Sequence, residues 1–103
     1  MAPLLTLPFL AAPPALAAKT RSCSAPAYGI AGFLRVRGDV SCRAADSVIQ
    51  QAQRKPVCQS HGERGCTGTT RVSAWTCKGL FPGEGFDLVC TSRGRWIHGA
   101  GGG

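Results

Sequence analysis

Acidic side chains are scarce in this chain of 103 residues, which has five Asp and Glu against 12 Lys and Arg. Most glycosidases need two carboxyl groups flanking the scissile bond, and so few acids supply such a pair poorly. The formal net charge of +7 instead favours acidic partners, such as anionic cell-wall polymers, phospholipid head groups or nucleic acid. A basic surface that serves only solubility is the alternative.

Charge is absent from residues 1–18, and their apolar runs are shorter than the roughly 20 residues that a membrane-spanning helix needs. Residues 3–12 are apolar apart from Thr6, and a proline pair then leads into Ala15-Leu16-Ala17. An apolar core, a helix break and a small-x-small motif are typical of a cleaved secretory signal. We therefore expect residues 1–17 to be a signal peptide. The protein would be secreted or extracytoplasmic, with no transmembrane span in its mature form.

Cysteine is abundant by comparison, and all six cysteines lie after the predicted cleavage site. Cleavage after Ala17 leaves 103 − 17 = 86 residues, which is enough for one domain with a marginal core. An even number of cysteines in a short exported chain predicts three structural disulfides. Six cysteines allow many connectivities, so the pairing stays open here. The residues are Cys23, Cys42, Cys58, Cys66, Cys77 and Cys90.

The spacing of apolar residues predicts one helix and four strands. Ser41 is a good N-cap, because its hydroxyl can accept a hydrogen bond from a free amide of the first helical turn. Apolar residues then recur on one face of a helix over residues 42–55, which Pro56 ends. Alternating apolar and polar residues predict the strands. These are residues 30–37, 71–77, 86–91 and 95–98.

This order of elements predicts the α+β class, as a small disulfide-rich domain over residues 18–98. One helix would pack on a three- to four-stranded antiparallel sheet. Polar residues 57–70 predict the longest loop, and the glycines of residues 99–103 predict a disordered tail. The expected core consists of Trp75, Phe86, Leu88, Val48 and Ile49.

Three short motifs follow one another along the chain. They are V-x-x-x-V-S-C-x-x-A-x-x-V from Val36, W-T-C from Trp75, and L-V-C-T-x-x-G-R-x-I from Leu88. With these motifs the chain resembles small exported actinobacterial proteins that contain cysteines and combine a V-S-C-x-x-A helix start with a C-terminal V-x-C-x-x-G hairpin. The resemblance implies export and a disulfide framework. It transfers no catalytic or binding residue, because no activity is established for such proteins.

The resemblance also bears on the disulfides, since Cys58 and Cys66 look like an addition to a four-cysteine pattern. A bond between these two would close a short local loop. Cys77 and Cys90 could bond across the last predicted hairpin, and Cys23–Cys42 then follows only by elimination.

A metal site is the first candidate for chemistry, because Cys58, His61 and Cys66 stand at spacings that a zinc ion could use. A closed zinc site needs a fourth ligand and reduced thiols, and disulfide formation outside the cell would remove the thiols. We predict no metal and no other cofactor.

Nucleophilic catalysis is the second candidate, since hydroxyl, imidazole and carboxyl groups are present. No strained Gly-x-Ser-x-Gly elbow appears, and cysteines that are all bonded leave no thiolate to attack a substrate. We therefore predict no catalytic residue and no enzymatic activity. The groups considered are Ser60, Ser73, His61, His98 and Asp87.

A binding surface is the third candidate. If the first and last predicted strands are neighbours, their arginines would join Trp96 in a basic and aromatic surface that suits phosphate or carboxylate groups. An ordinary polar sheet face with Trp96 turned inward is the alternative. The surface would consist of Arg35, Arg37, Arg93, Arg95 and Trp96.

Two functions fit these observations. The first is an exported, non-enzymatic binding module that contacts acidic cell-envelope components through the arginine-rich surface. The second is a secreted inhibitor of a hydrolase or protease, in which the loop between Cys58 and Cys66 presents Arg64 to a trypsin-like pocket. Nucleic acid is the weakest partner, because that compartment seldom offers it and no recognised binding motif is present.

Overall fold

One helix and six strands make up the regular structure of a computed structural model that describes residues 19–55, 57, 65–81 and 85–102. The predicted signal peptide lies outside these residues. The helix, α1, spans Cys42–Gln53, and a short 3-10 turn at Pro26–Tyr28 precedes β2. The strands are β1 (Arg21–Cys23), β2 (Phe33–Arg37), β3 (Thr67–Val72), β4 (Trp75–Leu80), β5 (Gly85–Ser92) and β6 (Arg95–Gly102).

The strands form one antiparallel sheet in the order β1-β2-β6-β5-β4-β3. This confirms one helix on an antiparallel sheet, and it corrects the predicted number of strands from three or four to six. The two strands that were missed lie at the sheet edges. β1 has no fully buried residue and β3 buries only Val72, so neither shows the apolar alternation that marks a strand.

The predicted strand over residues 71–77 is a hairpin instead. β3 ends at Val72, Ser73 and Ala74 form a two-residue turn, and β4 begins at Trp75. Ser73 has a positive φ of 55°, which a serine rarely adopts, and no glycine or asparagine marks the turn in the sequence.

The predicted disordered tail is also corrected, because β6 continues through Gly102. Gly99 lies against Ile49, where an added Cβ would come within 3.0 Å of the side-chain Cγ1. At Gly101 an added Cβ would overlap the carbonyl oxygen of Tyr28. These glycines therefore allow close approach inside the sheet rather than ending it. Gly103 lies outside the described residues.

Helix α1 begins and packs as its sequence predicts. The Ser41 hydroxyl accepts a hydrogen bond of 3.0 Å from the Ala44 amide, which confirms the N-cap. The helix ends at Gln53, two residues before the predicted end at Lys55. One face of α1 packs on the sheet, and its buried residues are Ala45, Val48, Ile49 and Ala52.

Four of the five predicted core residues are buried, and Phe86 is half-buried at the core margin. The ring of Phe86 meets the Tyr28 ring edge-on, with 5.2 Å between centroids. The core also contains apolar residues that the sequence analysis did not select. Among them are Tyr28, Leu34, Val36, Val72, Phe81 and Ile97.

Two disulfides confirm two of the predicted pairs. Cys23–Cys42 ties β1 to the start of α1, and Cys77–Cys90 joins directly opposed residues of β4 and β5. Cys66 is also disulfide-bonded. Cys58 lies outside the described residues, so the pair Cys58–Cys66 stays a prediction. The two observed bonds suggest an extracellular or otherwise oxidising environment.

Across the described ranges, no helix is long and apolar enough to cross a membrane.

Candidate functional site

The helix covers only one face of the sheet, and the side chains that alternate away from it form a second face, here called the open face. Its position follows from the strand registers, since successive residues of a strand point to opposite sides. The open face carries Phe33, Arg35, Arg37, Trp96, His98, Ala100, Asp87, Val89, Thr91, Thr76, Lys78, Leu80, Thr67, Thr69 and Arg71.

Two arginines of β2 stack on aromatic rings of this face. The Arg37 guanidinium carbon lies 4.4 Å from the centroid of the Trp96 ring, directly across the strand pair. The Arg35 guanidinium carbon lies 4.3 Å from the centroid of Phe33, two residues away on the same strand. Each stack is worth about 0.5–1 kcal/mol at an exposed site, and it restricts the position of the guanidinium.

His98 connects these two stacks. Its ring meets Phe33 edge-on at 4.9 Å and Trp96 edge-on at 5.8 Å between centroids. Its Nε2 lies 2.7 Å from Asp87 Oδ1 across the β5–β6 pair, which fixes the orientation of the imidazole. In the sequence, His98 and Asp87 are candidates only for catalysis. Phe33 is not part of the predicted surface, although it stands two residues before Arg35 and therefore points to the same face of the strand.

The predicted binding surface is only partly brought together. β2 and β6 are neighbours, so Arg35, Arg37 and Trp96 share the open face, and Trp96 is not turned into the core. Arg95 precedes Trp96 in the same strand and therefore lies on the helix side. There its guanidinium carbon is 4.5 Å from the Trp75 centroid, and its nitrogens donate to the Ser92 hydroxyl and carbonyl.

Arg93 lies between the two faces, in the turn that joins β5 to β6. Arg93 and Gly94 have positive φ angles of 47° and 78°, as a tight two-residue hairpin turn requires. The exposed Arg93 side chain therefore stands at the end of the sheet rather than with Arg35 and Arg37.

Among the described residues, the open face is basic, with four cations and one carboxylate. The carboxylate, Asp87, is already held by His98. Within the part of the chain that the structure describes, Arg35 has no hydrogen bond or ion pair, and Arg37 uses only Nε, which donates to the Thr20 hydroxyl at 2.6 Å. Most guanidinium donors therefore face solvent. The cations are Arg35, Arg37, Arg71 and Lys78.

Catalytic chemistry finds little support around His98. No hydroxyl or thiol among residues 19–55, 57, 65–81 and 85–102 forms a hydrogen bond with its imidazole. Ser73 lies in the β3–β4 turn, while Ser60 and His61 lie outside the described residues. No group of three His, Cys, Asp or Glu that could hold a metal occurs in those same ranges. The absence of an activity and of a cofactor stays a prediction.

A half-open pocket of about 330 Å³ lies on the other side of the molecule, at the start of α1. Its polar lining includes Asp46, whose Oδ1 accepts a hydrogen bond of 2.7 Å from the Tyr28 hydroxyl. Burial raises the pKa of Tyr28 above its ordinary value, and the hydrogen bond and the negative charge of Asp46 raise this pKa further. The Asp46 carboxylate thus has a structural role, since it accepts the hydrogen bond of the buried Tyr28.

The loop that would present Arg64 to a protease lies outside the described residues, so the inhibitor function stays a prediction. Comparison with family models, with curated proteins and with solved structures gave no match. The open face is therefore judged by its own chemistry.

Proposed function

We propose that the protein is an exported, non-enzymatic binding module that holds an acidic component of the cell envelope against the open face. The observation that carries this proposal is the pair of arginines stacked on Phe33 and Trp96, with most of their donors directed to solvent. Export and membership of the actinobacterial group that the chain resembles are parts of the same proposal.

Preorganisation favours binding by these two arginines. A guanidinium that already lies over a ring loses less conformational freedom when an anion binds than a free side chain does. A guanidinium also presents paired donors that match the oxygens of phosphate and carboxylate groups. The open face can therefore bind anions without rearranging these arginine side chains.

The charge balance of the whole chain acts in the same direction. A formal net charge of +7 draws anionic polymers toward the protein over roughly 10 Å at ordinary ionic strength. The observed disulfides tie β1 to α1 and β4 to β5, and so restrain the strands on either side of the open face. Long-range attraction would then bring a partner in, and the stacked arginines would fix its position.

The test measures retention of the purified, oxidised protein on isolated cell wall that carries anionic polymer. A variant with Arg35→Gln and Arg37→Gln should lose at least about tenfold in affinity, since hydrogen bonds to charged groups contribute about 1.5–3 kcal/mol. Raising the salt concentration should release the wild-type protein.

The matched control removes the same charge from the helix side, with Arg54→Gln and Lys55→Gln. Both side chains are exposed and lie after α1, so this variant should keep nearly the wild-type affinity. Equal losses in the two variants, or retention that is insensitive to salt, would contradict the proposal.

A further inference from the structure

We propose that the occupant of the open face is a linear phosphate polymer without bases, and that it lies across the strands rather than along them. This rests on the proposed function and adds to it the class of the ligand, its direction and its minimum length.

The strand registers place the cations in two adjacent rows that run across the sheet. Arg37 and Arg71 stand at the ends of one row, four strand spacings apart, or about 19 Å between Cα atoms. Arg35 and Lys78 stand three spacings apart in the next row, or about 14 Å. The first row is Arg37, Trp96, Thr91, Thr76 and Arg71, and the second is Arg35, His98, Val89, Lys78 and Thr69.

The first two rows together are here called the track. A third row of residues lies beside the track on one side. Among the described residues it supplies no cationic residue and it holds the one carboxylate of the open face, although the guanidinium of Arg35 reaches over its Phe33 ring. An anionic chain that crosses the strands along the first two rows meets cations at both ends, whereas a chain along any one strand meets at most two. The charges therefore define a direction. The third row is Phe33, Ala100, Asp87, Leu80 and Thr67.

Between the two pairs of cations, the track offers hydroxyl groups. Thr91 and Thr76 separate Trp96 from Arg71, and the side chain of Thr91 is exposed. Such hydroxyls can donate hydrogen bonds to further phosphate oxygens along a bound chain. The ligand that uses the whole track is therefore long and repeating, and a single small anion would use only one end.

The stacked rings disfavour a ligand that carries bases. Proteins that bind single-stranded nucleic acid stack bases on exposed aromatic rings. Here the guanidinium groups of Arg35 and Arg37 already cover Phe33 and Trp96, at 4.3 and 4.4 Å from the ring centroids. A base would have to displace an arginine, whereas a phosphate group binds to the guanidinium edges that remain open.

Phosphate also fits the paired arginines better than carboxylate does. Arg35 and Arg37 lie two residues apart on one strand, about 7 Å between Cα atoms, and their side chains share one face. A planar carboxylate is satisfied by one guanidinium fork, while a phosphate has further oxygens that can accept hydrogen bonds from other donors on the face.

The experiment measures binding of linear inorganic phosphates of increasing length, from pyrophosphate and tripolyphosphate to long-chain polyphosphate. It compares the wild type with a near-pair variant (Arg35→Gln, Arg37→Gln), a far-pair variant (Arg71→Gln, Lys78→Gln) and the control variant (Arg54→Gln, Lys55→Gln). Each variant removes two charges from exposed or half-exposed positions, and a single cooperative thermal transition shows that each remains folded.

We expect affinity to rise with chain length until the polymer spans both cation pairs. The far-pair variant should lose about tenfold in affinity for long polyphosphate and stay within about twofold of wild type for pyrophosphate. The near-pair variant should lose affinity at every length. The control variant should stay within about twofold throughout.

Other results would overturn the proposal in distinguishable ways. Affinity that does not rise with length, or a far-pair loss no larger than that of the control, would reject the crossing track while leaving the proposed function intact. Tighter binding of polyglutamate or of a single-stranded oligonucleotide with the same number of charges would reject the base-free phosphate polymer. Failure of the wild type to bind any polyanion would reject both proposals.

Discussion

At the residue scale, Tyr28 joins the 3-10 turn to the helix through one polar contact. Its buried ring packs in the core, while its hydroxyl donates to Asp46 Oδ1 at 2.7 Å. Replacement of Tyr28 by Phe keeps the ring and removes only this hydrogen bond. We expect the free energy of unfolding to fall by about 1–2 kcal/mol, as measured by urea unfolding at neutral pH.

The raised pKa of Tyr28 also predicts how stability depends on alkaline pH. The unfolded tyrosine loses its proton near pH 10, while the folded one keeps it, so stability is full below that pH and falls above it. Above pH 10, ionisation of Tyr28 should lower the free energy of unfolding by about 1.4 kcal/mol per pH unit. The Tyr28→Phe variant should lack this dependence on pH. Because Tyr28 is the only tyrosine, its ionisation can be followed by absorbance. Parallel alkaline profiles for the two proteins would contradict this linkage.

How far the candidate site could be predicted also depends on single residues. Alternation places Arg35, Arg37 and Trp96 correctly once β2 and β6 are neighbours, and it places Arg95 on the opposite side from Trp96. The predicted surface follows alternation within the first strand but groups Trp96 with Arg93, which lies in the turn, and with Arg95, which lies on the helix side. The stacking of Arg35 and Arg37 on rings depends on side-chain geometry, which no sequence pattern specifies.

At the element scale, the glycines of β6 mark where the strand touches its neighbours. Gly101→Ala would drive a Cβ into the Tyr28 carbonyl, so we expect a loss of about 1–3 kcal/mol in the free energy of unfolding. Gly102→Ala is the matched control, because an added Cβ at Gly102 meets nothing within 4 Å. Thermal unfolding of the two variants measures the difference. Similar melting temperatures would show that β6 does not approach Tyr28 as closely as the structure indicates.

The two observed disulfides should differ in how readily a reductant reaches them. Cys77 and Cys90 are both fully buried between the sheet and the helix, whereas Cys42 is exposed at the first turn of α1. Under native conditions, a mild thiol reductant followed by alkylation and peptide mass analysis should label Cys23 and Cys42 well before the buried pair. Simultaneous labelling of both pairs would indicate that the whole sheet opens before either bond is reduced.

The elements that could be predicted are those with a buried stripe. α1 and β5 bury several apolar side chains at regular spacing, and the predictions of both elements are confirmed to within two residues at each end. β1 and β3 pair through their backbones at the edges and bury little, so composition alone does not distinguish them from loops. The end of β6 contains glycines that pack closely, which in a sequence look the same as glycines in a disordered tail.

At the scale of the whole molecule, export and oxidation can be tested together. We expect the protein recovered from culture medium to begin after Ala17 and to gain the mass of one hydrogen per cysteine on reduction. Intact mass before and after reduction measures both quantities. An uncleaved chain, or thiols that react without reduction, would contradict the predicted secretion.

The two observed disulfides lie on opposite sides of the β2–β6 strand pair, so they divide the sheet into two units of different size. Cys23–Cys42 closes a unit formed by β1, β2 and α1, and Cys77–Cys90 closes a unit within β3 to β6. Neither bond crosses the boundary between β2 and β6, where the two units meet through five residue pairs and the packing of α1. If β2 and β6 separated, each unit would keep its own contacts. One unit would expose the edge of β2 and the other the edge of β6, and these edges can pair with each other. Two molecules at high concentration can then exchange these units reciprocally, and each arginine-bearing β2 in such a dimer would lie beside a β6 from the other chain.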